Sequence, residues 1–201
     1  MGRFSYFCRM EHNVAPIILA SKSPRRQELL RMMGYRFRVV LKDVDETFPA
    51  DLSPAEVAVH IAKKKALAFD EDLQDEVVLT ADTIVCLDDR ILGKPADEAE
   101  AFAMLSDLSG RKHEVITGVT LLRDHEVRSF YEVSEVFFGR LTEDQIRYYI
   151  STGMPMDKAG AYGIQDWIGL VGIERINGSY TNVVGLPTER VHRELLALEQ
   201  R

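Results

Sequence analysis

From Ile17 onward the chain alternates short apolar runs with amphipathic stretches, a pattern that predicts strands and helices in turn. Ile17-Ile18-Leu19-Ala20 is a buried strand, followed at once by Ser21-Lys22-Ser23-Pro24-Arg25-Arg26, a turn and a helix start. Ser23 suits the N-cap, and Pro24 the first helical position, where a missing N–H costs nothing. That helix continues through Gln27–Met33 and stops at Gly34. Tyr35–Leu41 predicts a second strand. Ser53-Pro54-Ala55-Glu56 is a capping box that opens the most regular helix of the chain. Projected at about 100° per residue, Val57, Ala58, Ile61, Ala62, Ala68 and Phe69 share one face. Val77–Leu87 (VVLTADTIVCL) is nearly continuous in apolar residues, as a strand covered on both faces requires. Asp88-Asp89 marks a turn, and Asp97 with Glu100 caps a helix that ends at Leu108. His113–Leu122 and Val127–Phe138 predict two long strands joined by a charged turn, so part of the sheet is antiparallel. Both His113 and His125 are taken as ordinary strand and turn residues. Thr142–Gln145 caps a further helix with Ile146, Tyr149 and Ile150 inward. Leu170–Ile176 predicts a strand. Turns follow at Asn177–Tyr180 and Val183–Pro187, and Thr188–Leu198 is a closing helix that buries Val191, Leu195 and Leu198. The fold class is α/β.

Composition narrows this picture. The 201 residues suffice for one sizeable core or for two lobes sharing a sheet. No apolar run approaches the roughly 20 residues that span a bilayer, so no membrane segment is expected. A net charge of −7 opposes a nucleic-acid footprint over the whole surface and leaves local basic clusters suited to a small polyanion. Cys8 and Cys86 suggest neither a disulfide framework nor a metal site and fit a reducing, cytoplasmic setting. Met1–Val14 has no periodicity and no signal-peptide core. It is expected to be a flexible extension, with Met10 an alternative start, ahead of a single domain over 15–201.

The candidate chemistry lies where polar residues interrupt these elements. Arg25 and Arg26 fall in the first helical turn, where the macrodipole favours acids. With Ser21 and Ser23 they read as a phosphate clamp at a helix start, the plain alternative being a solvated surface pair. Lys42-Asp43-Val44-Asp45-Glu46-Thr47 is an acidic loop, either a solvated turn or a hard-cation site. Lys65 projects into the middle of its helix's apolar face, whereas Lys63 lies opposite and Lys64 near an edge. An ammonium so placed must snorkel or meet an anion. Asp82-Thr83 interrupts the most apolar strand, and a carboxylate there must be paired, metal-bound or held at a cleft. Near cations, Asp82 can accept a proton from an attacking water. Lys94 stands between Gly93 and Pro95. Gly153–Gly169 is too irregular for an element and too apolar for disorder, and Lys158 and Gln165 are its candidate ligand contacts. Many cations, few acids and no nucleophilic Cys–His or Ser–His–Asp set point to phosphoanhydride hydrolysis. The chain has no GxxxxGK[ST] or GxGxxG motif.

The motifs also carry a resemblance. Leu19-Ala20-Ser21-Lys22-Ser23-Pro24-Arg25-Arg26, Ala81-Asp82-Thr83, Gly93-Lys94-Pro95, Asp157-Lys158-Ala159-Gly160-Ala161-Tyr162-Gly163-Ile164-Gln165 and Ile176-Asn177-Gly178-Ser179-Tyr180 occur in that order. Together they resemble the Maf family of nucleoside triphosphate pyrophosphatases, related in fold to the inosine triphosphate pyrophosphatases. The resemblance implies a two-lobed α/β fold around a long mixed β-sheet, with flanking helices, a central cleft and often a homodimer. It implies cleavage of a nucleoside triphosphate to the monophosphate and pyrophosphate with a divalent metal, Mg²⁺ or Mn²⁺. By position, Asp82 resembles the proton acceptor and, with Glu46, a metal-linked carboxylate. Arg25, Thr83 and Gln165 match positions linked to substrate choice; Arg26, Lys65, Lys94 and Lys158 match the polyphosphate cradle. The Asp157–Gln165 motif resembles the branch acting on dTTP and UTP. Asp166-Trp167 departs from the glycine-containing turn common in the family. Rival readings are the same reaction on 7-methyl-GTP or non-canonical purine triphosphates, or a non-catalytic nucleotide sensor in cell division.

Overall fold

A computed structural model describes residues 14–71 and 73–200. The expectations for the N-terminal extension, save Val14, and for Cys8 lie outside the described residues.

The sheet is built on β3 (Val77–Leu87), the long apolar run, every residue of which is in strand. Its order is β2 (Phe37–Val39), β1 (Ile17–Leu19), β3, β5 (Lys112–Arg123), β6 (Glu126–Phe138), β7 (Ile173–Asn177), with β4 (Arg90–Leu92) also on β3. β1 runs parallel to β2 and to β3, whereas β5, β6 and β7 continue the sheet antiparallel. The mixed sheet follows from the connections. A helix crossover, α1 (Pro24–Met32), returns the chain parallel between β1 and β2, while the tight Asp124-His125 turn makes β5 and β6 a hairpin.

One register detail positions everything that follows. β1 pairs with Val77–Leu79 of β3, and β4 pairs with Val85–Leu87 along the same edge. Between them Thr80–Ile84 has β5 on one side and neither strand on the other. The sheet is therefore split at Asp82-Thr83.

Alternation along β3 separates two cores. Val77, Leu79 and Ala81 pack with α1 and with α7 (Thr188–Leu198) in one lobe. Val85 and Leu87 pack with α3 (Glu98–Leu108) and α4 (Glu143–Ser151) in the other. Even-numbered residues face α2 (Pro54–Leu67), to whose Ala62 carbonyl Thr80 Oγ1 donates at 2.7 Å. The expected caps form. Ser53 and Glu56 close their box on α2, Thr142 and Gln145 close one on α4, and Asp97 caps α3. Val191, Leu195 and Leu198 are buried on α7, as the pattern requires.

Two boundaries differ from the sequence pattern. The stretch expected as a strand over Leu170–Ile176 begins instead as helix α5 (Trp167–Gly172) before β7. Leu170 and Val171 are apolar yet 76% and 49% exposed, so hydrophobicity there does not report a buried strand. β2 contracts to Phe37–Val39 because β1 offers only three residues to pair with. The turn at Asn177–Tyr180 is followed by a short helix, α6 (Tyr180–Val184), capped by Ser179. Within the irregular stretch, Met154–Asp157 and Ala159–Ala161 form two single 3₁₀ turns.

His113 is buried, hydrogen-bonded through Nε2 to the Tyr162 hydroxyl at 2.7 Å and stacked on Phe138. Burial pushes its pKa down to about 4, so the ring is neutral near pH 7. Among the described residues no helix is long and apolar enough to cross a membrane.

Candidate active site

The split in the sheet opens into a cleft of about 700 Å³, and all eleven residues singled out in the sequence line it. Its walls carry Lys22, Arg25, Arg26, Lys42, Lys65, Lys94 and Lys158 against Asp43, Glu46, Asp82 and Asp157. Seven basic groups facing four acidic ones make this a cationic pocket in a chain of net charge −7.

Asp82 sits at the centre of the gap. It lies opposite Gly118 of β5, and Gly118 lets α2 pass close over the sheet at Ala58. Two turns further along α2, Lys65 meets Asp82: its Nζ donates to Oδ1 at 2.9 Å and lies 3.0 Å from Glu46 Oε1. The side chains of Lys65 and Asp82 are only 19% and 16% exposed. The lysine on the apolar face has thus met anions and not snorkelled away. Lys64, near the edge of the apolar face, ties down the acidic loop through Asp45 Oδ2 at 3.3 Å and the Thr47 carbonyl at 3.1 Å. Thr47 N donates to Asp45 Oδ1 at 3.0 Å, which tightens the turn that carries Glu46.

The first loop is organised by Ser23, whose hydroxyl accepts from Arg26 N as the N-cap of α1. Ser21 is buried and its Oγ accepts from Ser23 N at 3.2 Å. Arg25 and Arg26 then diverge. Arg25 lines the cleft with its side chain 29% exposed and Nη1 3.4 Å from Asp157 Oδ2. Arg26 also lines the cleft, but its guanidinium donates to protein oxygens: the carbonyls of Gly185 and Ala81, both at 2.8 Å, Ser21 Oγ at 3.3 Å and Thr83 Oγ1 at 2.9 Å. Burial pushes its pKa below the usual arginine value, against the opposing pull of Asp82. It joins α1, β3 and the loop after α6 at one point. Thr83 shares a further hydrogen bond with Thr117 Oγ1 at 3.0 Å, and Thr117 donates to the Asn182 carbonyl.

Lys94 and Gln165 are exposed at the cleft. The Gly93 carbonyl accepts from Gly160 N at 3.0 Å, which pins the Lys94 loop to the Asp157–Gln165 segment. Gly160 also packs on Val85, where a Cβ would stand 3.0–3.1 Å from its side-chain atoms. Lys158 is buried and donates to the Met154 carbonyl at 2.5 Å and to Asp157 Oδ1 at 2.6 Å. Asp157 therefore bridges Lys158 and Arg25. Burial pushes its carboxyl up, but the hydrogen bond and charge of Lys158, joined by Arg25, outweigh this and hold it below the usual range. Sequence reasoning passed over Asp157 and Lys64. The signal for Asp157 was its place beside Lys158 in the irregular loop.

The sequence matches the Maf-like protein family over residues 16–198. The chain belongs to the Maf-like family. It is 51% identical over 181 residues to the "dTTP/UTP pyrophosphatase" of Flavobacterium psychrophilum, covering 90% of this chain and 93% of that protein. The protein of the same name from Bacillus cereus (strain ATCC 10987 / NRS 248) is 49% identical, covering 91% of this chain and 90% of the relative. Among solved structures, a HAM1 protein from Coxiella burnetii superposes with a TM-score of 0.50 at 16% identity, over 93% of this chain and all of that one. That likeness shows the fold: two lobes on a mixed seven-stranded sheet, as expected. In this Maf-like chain the break in the sheet beside Asp82-Thr83 lies against Lys65 of α2.

Proposed function

We propose that this Maf-like protein hydrolyses nucleoside triphosphates, dTTP and UTP foremost, to the monophosphate and pyrophosphate. The observation that carries the reading is Asp82: a carboxylate at a break in the sheet, in a cleft walled by cations. The names of the relatives support the substrate.

In this reading Lys65, Lys94, Lys158 and Arg25 neutralise the triphosphate and the charge that develops on the leaving pyrophosphate. Asp82 accepts the proton of the attacking water, with Lys65 fixing its carboxylate. Arg26 acts by holding Thr83 and the Ala81 carbonyl in place. Gln165, Thr83 and Arg25 face the base and sugar, the Gln165 amide offering both a donor and an acceptor to a pyrimidine edge.

The donor set fits a Mg²⁺-type ion. Glu46 and Asp82 both reach the Lys65 ammonium, within 3.0 and 2.9 Å. Among the described residues no three His, Cys, Asp or Glu side chains form a complete cage. Two carboxylates completed by substrate phosphates and water are the usual Mg²⁺ arrangement. When bound, such an ion supplies Lewis-acid neutralisation of phosphate oxygens. The proposal includes a cytoplasmic setting, supported by the cysteine usage, and a homodimer, supported by the family resemblance.

Base preference is tested by measuring kcat/KM over the canonical triphosphates, 7-methyl-GTP and dITP. Values for dTTP and UTP at least about tenfold above those for purines are expected, the size of one well-placed polar contact. A purine maximum would overturn the role given to Gln165.

A further inference from the structure

Asp166 stands at the N-cap of α5, where an aspartate ordinarily accepts from the N–H groups of the first turn. It makes no such bond. Its Oδ2 instead accepts from the Tyr149 hydroxyl at 2.6 Å and lies 3.4 Å from Lys158 Nζ. Both charged side chains are sequestered, Lys158 at 7% and Asp166 at 8% exposure, and Tyr149 is fully buried. Gly163 closes the cluster from the side. Its N–H donates to the Tyr149 oxygen at 3.2 Å, and a Cβ would stand 2.6 Å from Asp166 Oδ2 and 2.9 Å from Lys158 Cε.

A buried ammonium needs a counter-charge that stays in place. Asp157 is a poor candidate for that duty: its side chain is 62% exposed, it is shared with Arg25, and it lies where an incoming phosphate would compete for both cations. Among the described residues Asp166 is the buried carboxylate within ion-pair distance of Lys158, and Tyr149 holds it from behind. The backbone strengthens the case. Asp166 N donates to the Gly163 carbonyl at 3.0 Å, closing the turn that carries Gln165.

We infer that Asp166, clamped by Tyr149, is a positioning residue that fixes the Lys158 ammonium in the cleft and the Gln165 turn relative to it. The inference rests on the proposed function for its catalytic meaning, though not for its geometry. Asp157 is then the exchangeable partner of Lys158 and Asp166 the permanent one.

The sign of the effect separates positioning from simple charge. Removing a negative group beside a cation would, by Coulomb's law alone, tighten binding of an anion. Positioning demands the reverse. In the full chain, Asp166→Asn and Tyr149→Phe are each expected to raise Kd for inorganic tripolyphosphate and to lower kcat/KM for dTTP, Asp166→Asn by about tenfold in each, with kcat falling as well as KM rising because Lys158 also meets the charge that develops on the leaving group. Asp166→Glu should recover part of the loss. In a Lys158→Gln background Asp166→Asn should add less than about twofold, because the two residues act as a unit. Unchanged or tighter tripolyphosphate binding, or a full effect without Lys158, would overturn the inference.

Acetylation of Lys158 by acetic anhydride, read by mass spectrometry, needs no turnover. It should quicken several-fold in Asp166→Asn, and an unaltered rate would count against the clamp. If the wild type cleaves no triphosphate while both readouts shift as stated, the function fails and the positioning role stands.

Discussion

Asp82→Asn is expected to lower kcat for dTTP by about a thousandfold, within the range that a positioned general base supplies. The substitution keeps the size and planarity of the side chain, and the Asn oxygen still accepts from Lys65 Nζ, now 2.9 Å from Asp82 Oδ1. Lys65 also retains Glu46 at 3.0 Å, so the ammonium is not left unpaired. Stability should therefore move little, and tripolyphosphate should bind at least as well, since one negative charge has left a cationic cleft. A collapse in turnover with intact binding places the loss in the chemical step, and its persistence at saturating Mg²⁺ separates proton acceptance from metal holding. Retention of kcat within tenfold would move that role to another group.

Gly118→Ala is expected to cost about 3 kcal/mol of stability, at the upper end of overpacking substitutions. Ordinarily alanine improves on glycine in a strand by roughly 0.5–1 kcal/mol. Here a Cβ would stand 2.4 Å from the Ala58 carbonyl carbon and 2.5 Å from Ala58 O and Val59 N. These are backbone atoms of α2, and no rotamer change relieves the clash. The helix must lift from β5, and Lys65 lifts with it, out of reach of Asp82. Urea unfolding should show the lost stability, and kcat/KM for dTTP should fall alongside by at least about tenfold. Gly93→Ala is the stability control, because a Cβ there meets nothing within 4 Å. An unchanged midpoint for Gly118→Ala would mean that α2 does not rest on the sheet at this residue.

How much of this was legible in the sequence depended on whether a feature is local. β3 could be read because a strand covered on both faces is apolar throughout, and Asp82 stood out against that background. Lys65 was legible from helical geometry, since its neighbours on the wheel are buried residues of α2. The capping boxes of α2 and α4 were legible because each lies within four residues. The split in the sheet was not. It arises from the register in which β1 and β4 pair along one edge of β3, and that register joins segments distant in sequence. Arg26 illustrates the same limit: a guanidinium after Ser-Pro-Arg reads as a phosphate ligand, but its acceptors on Ala81, Thr83 and Gly185 come together only in the folded chain. α5 was misread because its exposed Leu170 and Val171 imitate a strand. Asp166 could be seen as a departure from the family's usual turn, but its pairing with Tyr149 and Lys158 could not.

The most direct test of the central claim is the identity of the products formed from dTTP by the wild-type protein with Mg²⁺, followed by ³¹P NMR. Stoichiometric dTMP and pyrophosphate, with no dTDP accumulating, is the predicted result. Release of inorganic phosphate and dTDP, or an unchanged triphosphate spectrum, would contradict it.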